Sequence, residues 1–308
     1  MSELTTVAEG LRFPEGPVAM PDGSVLVVEI AAGRLTRVRP DGTKEVVAEP
    51  GGGPNGAAIG PDGRCWICNN GGFRWREKDG LIFPGLAADD YAGGRIEAVD
   101  LETGEVEVVY TECDGVKLNG PNDLVFDGAG GFWFTDHGKL YKRWEDRGVL
   151  YYAKADGSEI RQAMFPMHSP NGVGLSPDDK TLYVAETPTG RVWAFDLGEP
   201  GEIVPHRGPI PWEKGRLLAG PEGYHLFDSL AIDSAGNVCV GDIPQGGITV
   251  IPPDGGKITN FPMPDAFTTN ICFGGEGLKT AYITLSSTGK LVAMDWPRPG
   301  LALHHLNK

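Results

Sequence analysis

The chain has 308 residues, with 27 basic and 42 acidic side chains and a net charge of −15. That balance repels nucleic acid and leaves no polybasic segment for an anionic membrane, and no apolar run approaches the ~20 residues a transmembrane helix needs. Forty-six Gly and 25 Pro suit many short strands joined by tight turns better than helices.

The N-terminal MSELTTVAEG has neither a basic start nor an apolar stretch, so no secretory leader is expected. Five cysteines are an odd count without disulfide-framework spacing, and cytoplasm is the expected location. A chain of this length buries a core without staples.

From residue 14 onward one phrase recurs: a polar residue, a short apolar strand, a Gly- or Asp-rich turn and a second apolar strand. The copies are PEGPVAMPDGSVLVVEI, PNGAAIGPDGRCWICNN, PNDLVFDGAGGFWFTDH, PNGVGLSPDDKTLYVAE, FDSLAIDSAGNVCVGDI and TNICFGGEGLKTAYITL. Their opening polar residues are Glu15, Asn55, Asn122, Asn171, Asp228 and Asn270, spaced by 40, 67, 49, 57 and 42 residues. Third strands follow in each unit (RLTRVRP, GRIEAVDL, GVLYYAKA, GRVWAFDL, GGITVIPP, GKLVAMDW). In the first unit, Asp41-Gly42 turns the chain into a fourth strand. Self-similarity at this period predicts an all-β fold: a six-bladed β-propeller with four antiparallel strands per blade, forming one domain over 1–308. Residues 3–9 are expected to close the ring as the outer strand of the last blade, with 301–306 as the alternative. Two stretches read as extra length, 71–93 and 200–225. They carry Phe73, Trp75, Phe83 and Tyr91 in one and Trp212 and Tyr224 in the other; loops this long either pin themselves to the surface or line a pocket.

Six equivalent polar residues must converge on the central channel. Glu15, Asn122, Asn171 and Asp228 offer two carboxylates and two amide oxygens, a hard donor set suited to one divalent cation. Ca²⁺ fits best, with Zn²⁺, Mn²⁺ or Mg²⁺ as alternatives. A single Asn before Gly would read as a turn residue, but turn preference does not explain two acidic members of one register.

At these residues the chain resembles the SMP-30/gluconolactonase family, which shares its six-bladed propeller with diisopropyl-fluorophosphatase-type hydrolases. The matching motifs are FPEGPV around Glu15, GPNDLVFD around Asn122, SPNGVGLSPD around Asn171 and FDSLAID around Asp228. The resemblance implies that these four positions hold the metal, that Asp228 also serves as the acid/base residue, and that the substrates are small-molecule lactones, commonly of sugar acids. A metal-polarised carbonyl attacked by water is then the expected chemistry, with Asn55, Asn270 and His168 as substrate- or water-orienting residues. Sugar-lactone members often carry Arg two residues before the Asn of the PND motif. Here that position is Gly120, which points to a less polar lactone. Two rivals stay open: an organophosphate hydrolase on the same metal set, and a non-catalytic binding propeller with a structural metal.

Three other signals carry less. Cys65 and Cys68 form a CxxC, but residues three apart in a strand face opposite ways. The GxGxxG letters at 51–56 precede a strand rather than a helix. No G-x-S-x-G elbow is present. His137 is a weaker candidate than His168 for the channel mouth.

Overall fold

In the computed structural model, which describes residues 3–206, 208 and 215–308, each repeat becomes one four-stranded antiparallel sheet, and six such sheets form the ring of a β-propeller. The innermost strands of blades 1 to 6 are Pro14–Ala19, Pro54–Ile59, Pro121–Phe126, Pro170–Leu175, Leu226–Ile232 and Thr268–Gly274. Each packs against the next, and the sixth returns to the first. The N-terminal strand Thr5–Ala8 pairs antiparallel with Lys290–Asp295, so residues from both ends of the chain complete blade 6. Residues 301–306 do something else: they run across the far end of the central channel, where Leu301 and Leu306 pack on separate core clusters.

A feature of the inner strands positions the polar residues. In every blade the ladder between the first and second strands slips at the polar residue or its neighbour, as between Pro54 and Ala57, Pro121 and Leu124, and Pro170 and Val173. A bulge bends the strand and re-aims one side chain. Strict alternation cannot do this, because a residue two places on must face the same side.

The second strand of most blades carries, at or next to its last position, a buried polar residue that holds the turn into the inner strand. Glu29 accepts from Arg12 N at 2.7 Å, and Asn69 Oδ1 from Gly53 N at 2.9 Å. Asp136 accepts from Asn119, Gly120 and Gly138 N, and Glu186 from His168 N at 2.8 Å. Asp242 meets the His225 ring at 2.8 Å. Buried carboxylates survive where several donors satisfy them. Burial raises the Glu29 pKa, but the Arg34 and Thr36 hydrogen bonds and Arg12 N outweigh it and hold the carboxyl low.

Between blades the strands bury Leu, Ile, Val and large aromatics, among them Trp66, Trp133 and Phe132. Cys65 joins the blade 1–2 core and Cys68 the blade 2–3 core, on opposite faces of their strand. The letters GxGxxG lead into the strand Pro54–Ile59.

The two long stretches resolve differently. Residues 71–93 form a hairpin, Phe73–Lys78 with Leu81–Ala87. Within 200–225, Arg216–Ala219 is the outer strand of blade 4, so part of that stretch belongs to the repeat itself. The sequence does not announce this strand, because a four-residue, half-exposed edge strand lacks the long apolar run that marks the others. Trp212 lies outside the described residues; Tyr224 is exposed.

Candidate metal and substrate site

The inner strands all begin at one end of the channel, and that end carries the polar ring. Glu15, Asn55, Asn122, Asn171 and Asn270 are buried, while Asp228 keeps partial exposure. Asn270 Nδ2 donates to Glu15 Oε2 at 2.6 Å, and Gly16 N donates to the same oxygen at 2.6 Å. Asn270 Oδ1 accepts from Ile271 N at 2.7 Å. Both ends of the Asn270 amide are therefore engaged, and the residue orients Glu15. Asn171 Nδ2 donates to Thr187 Oγ1 at 3.1 Å, and its oxygen receives the Ser229 hydroxyl at 3.3 Å.

Carboxylates crowd this space. Burial raises the Glu15 pKa against the hydrogen bonds from Asn270, Gly16 and Thr269. Asp228 is raised well above the ordinary carboxylate range by burial first and by the Glu15 charge second. Asp123, beside Asn122, is raised by burial and by Glu15 as well. Asp123 was absent from the sequence reading, although it is the acid of the PND motif. Like charges in a desolvated space call for a cation or for protons.

The donors fit a hard cation. Glu15 Oε1 and Asn122 Oδ1 are buried with no hydrogen-bond partner, and a buried unpaired carboxylate oxygen is costly unless something positive meets it. Among the described residues no three His, Cys, Asp or Glu side chains converge as a metal cluster. The set here is two carboxylates with two amides, all oxygen donors, which suits Ca²⁺-type coordination.

His168 sits exposed on the rim, Nε2 3.3 Å from Arg147 Nη1. Burial first and Lys139 second lower the His137 pKa to about 4, leaving a neutral imidazole. The hairpin of blade 2 crosses this same end. Ile82 N bonds Ser287 O of blade 6 at 3.0 Å, and Ala87 N bonds Leu140 O of blade 3 at 3.1 Å. Its rings pack against those of other blades: Trp75 tilted against Phe13 at 5.1 Å and Phe83 edge-on to Phe267 at 5.3 Å. Tyr91 OH donates to Asn119 O at 2.7 Å. Aromatic rings of blades 1, 2 and 6 thus border one side of a polar floor.

Lys139 is a group that sequence reasoning missed. It is 2% exposed, and Nζ donates to Asn70 Oδ1 at 3.0 Å and Gly72 O at 2.8 Å while lying 3.9 Å from the Phe73 ring centroid. Burial pulls its pKa down to about 7, against the charges of Asp136 and Asp146. Gly120 explains itself nearby: a Cβ there would meet Gly138 O at 2.5 Å, so no side chain fits.

Comparison with known proteins gives the same answer as the motifs. The SMP-30/Gluconolactonase/LRE-like region model matches residues 13–287. The chain belongs to this family. Lactonase drp35 of Staphylococcus haemolyticus is 33% identical over 275 residues, covering 85% of this chain and 76% of that protein. Two solved structures share the fold. A gluconolactonase from Xanthomonas campestris has TM-score 0.75 at 22% identity, covering 96% of this chain and 90% of its own. Regucalcin, a calcium-binding protein from Agrobacterium tumefaciens, has TM-score 0.73 at 18% identity, covering 97% and 95%. No helix among the described residues is long and apolar enough to cross a membrane.

Proposed function

We propose that this family member is a carboxylic-ester hydrolase that opens lactones to hydroxy acids, with one divalent cation, calcium by preference, held by Glu15, Asn122, Asn171 and Asp228. The observation that carries the reading is the pair of buried, unpartnered oxygens, Glu15 Oε1 and Asn122 Oδ1, beside a carboxyl, Asp228, that the Glu15 charge disfavours as an anion. The similarity to a lactonase supplies the substrate class.

When bound, such a cation supplies Lewis-acid polarisation of an ester carbonyl and offsets charge that develops on its oxygen. The chain's own residues supply the rest. Glu15 is held rigid by Asn270 and Gly16 N, which makes it an anchor. Asp228 has the partial exposure that a base needs to meet water, and it takes the proton of the attacking water. Asn55 lies on the same ring and orients water or substrate, and His168 serves the rim. The aromatic hairpin over the mouth favours lactones with apolar substituents. A reducing, cytoplasmic setting goes with this reading, supported by five unpaired, buried cysteines.

The test is a pH-indicator screen of metal-stripped protein, with Ca²⁺, Mg²⁺, Mn²⁺ or Zn²⁺ restored, against D-glucono-δ-lactone, aliphatic lactones and an organophosphate. Metal-restored lactone hydrolysis is expected, with aliphatic lactones preferred. Turnover of the organophosphate alone, or of nothing, would contradict the proposal.

A further inference from the structure

Asn70 directly follows the second strand of blade 2, Cys65–Asn69, and is 2% exposed. Its Oδ1 accepts from Gly72 N at 2.8 Å and from Lys139 Nζ at 3.0 Å. Reversing the amide would set its NH₂ against those two donors, so the orientation is fixed by the network. The consequence is that Nδ2 is buried with no partner. Such a donor costs free energy unless something outside the protein accepts from it.

Its location fits the site. Asn70 N donates to Gly53 O at 2.8 Å, two residues before Asn55, and a Cβ on Gly53 would collide with Asn70 Oδ1. Asn69 turns the other way, onto Glu97 and Gly51 O, which leaves Asn70 facing blade 3 at the site end of the ring. Lys139 approaches from blade 3 and spends its N–H groups on Asn70, Gly72 and the Phe73 face. It therefore reaches a ligand only through Asn70.

We infer that Asn70 Nδ2 donates to an oxygen of the bound lactone other than its scissile carbonyl, and that Lys139 is the positioning residue that fixes this donor. The inference rests on the lactonase reading.

Asn70→Asp is the discriminating variant. It keeps an oxygen for Gly72 N and Lys139 and replaces only the unpartnered donor. Its thermal stability should match or exceed that of the wild type, while kcat/KM falls by about 10- to 100-fold, the usual range for one buried donor. Lys139→Met should raise KM with little change in kcat, Lys139→Arg should restore part of the loss, and the double variant should be no worse than Asn70→Asp alone. δ-Valerolactone and D-glucono-δ-lactone serve as probes. A loss on both assigns the contact to the ring oxygen; a loss on the second alone assigns it to a substituent oxygen. Wild-type kcat/KM on both in a folded Asn70→Asp variant overturns the inference. If the wild type hydrolyses no lactone, the lactonase reading fails separately. Calorimetric titration with D-gluconate then judges Asn70: weaker binding by the variant upholds the donor, and equal or absent binding overturns it.

Discussion

Removing and restoring the divalent cation should move the stability of this propeller by an amount that can be estimated. A ligand that binds only the folded state at about 100 to 1,000 times its Kd stabilises by about 2.7 to 4.1 kcal/mol. Unfolding entropy of about 2.1 cal/mol/K per residue, taken over 308 residues, gives about 0.65 kcal/mol/K. The melting temperature should then rise by about 4–6 °C on adding saturating calcium to chelator-treated protein. The increment should shrink as pH falls toward 5. Glu15, Asp123 and Asp228 all have raised pKa values, so the metal-free fold holds protons that the unfolded chain has released. Those carboxyls make the metal-free fold lose stability as pH rises from about 4, and the cation must displace their protons at low pH. Scanning fluorimetry at several calcium concentrations and pH values is the assay. Glu15→Gln, which removes one anionic donor, should show less than about 1 °C of the increment. No calcium-dependent shift, or an equal shift in Glu15→Gln, would refute the reasoning.

Asp136→Ala strands the backbone amides of Asn119 and Gly120, which lead into the PND strand, and of Gly138, and should cost at least about 3 kcal/mol in urea unfolding; a cost under about 1 kcal/mol would contradict the anchoring role. Gly120→Arg should destabilise by about 1–3 kcal/mol through overpacking against Gly138 without gaining turnover of D-glucono-δ-lactone. A stable variant that gains it would show that the corner has room. Deleting residues 301–308 removes Leu301 and Leu306 from the far end of the channel. Urea unfolding should read a loss of about 2–4 kcal/mol, with lactone turnover kept at temperatures where the variant is folded, because the polar ring lies at the opposite end.

Much of this molecule was legible because each blade repeats one phrase. The apolar runs fixed strand pairing, and the opening polar residues Glu15, Asn55, Asn122, Asn171, Asp228 and Asn270 shared a slot that led to one end of the channel. The ends of the same phrases, Glu29, Asn69, Asp136, Glu186 and Asp242, repeat too, and that signal was overlooked. The bulges that aim the polar residues are not visible in residue types, since a two-against-one register looks like ordinary strand text. Asn70 and Lys139 were out of reach for another reason: they lie 69 residues apart, and only the approach of blades 2 and 3 brings them together. The aromatic loops were readable as loops, but Phe83 finding Phe267 across the mouth depends on where a hairpin lands.

The most direct measurement is the kcat of Asp228→Asn for lactone opening at saturating calcium, beside the wild type and with calorimetry to show that metal still binds. Loss of a positioned base removes about 10²- to 10⁴-fold, and the account predicts a fall in that range with the Asn oxygen still available to the cation. A kcat within about threefold of wild type would mean that another group accepts the water's proton and would contradict the assignment of Asp228.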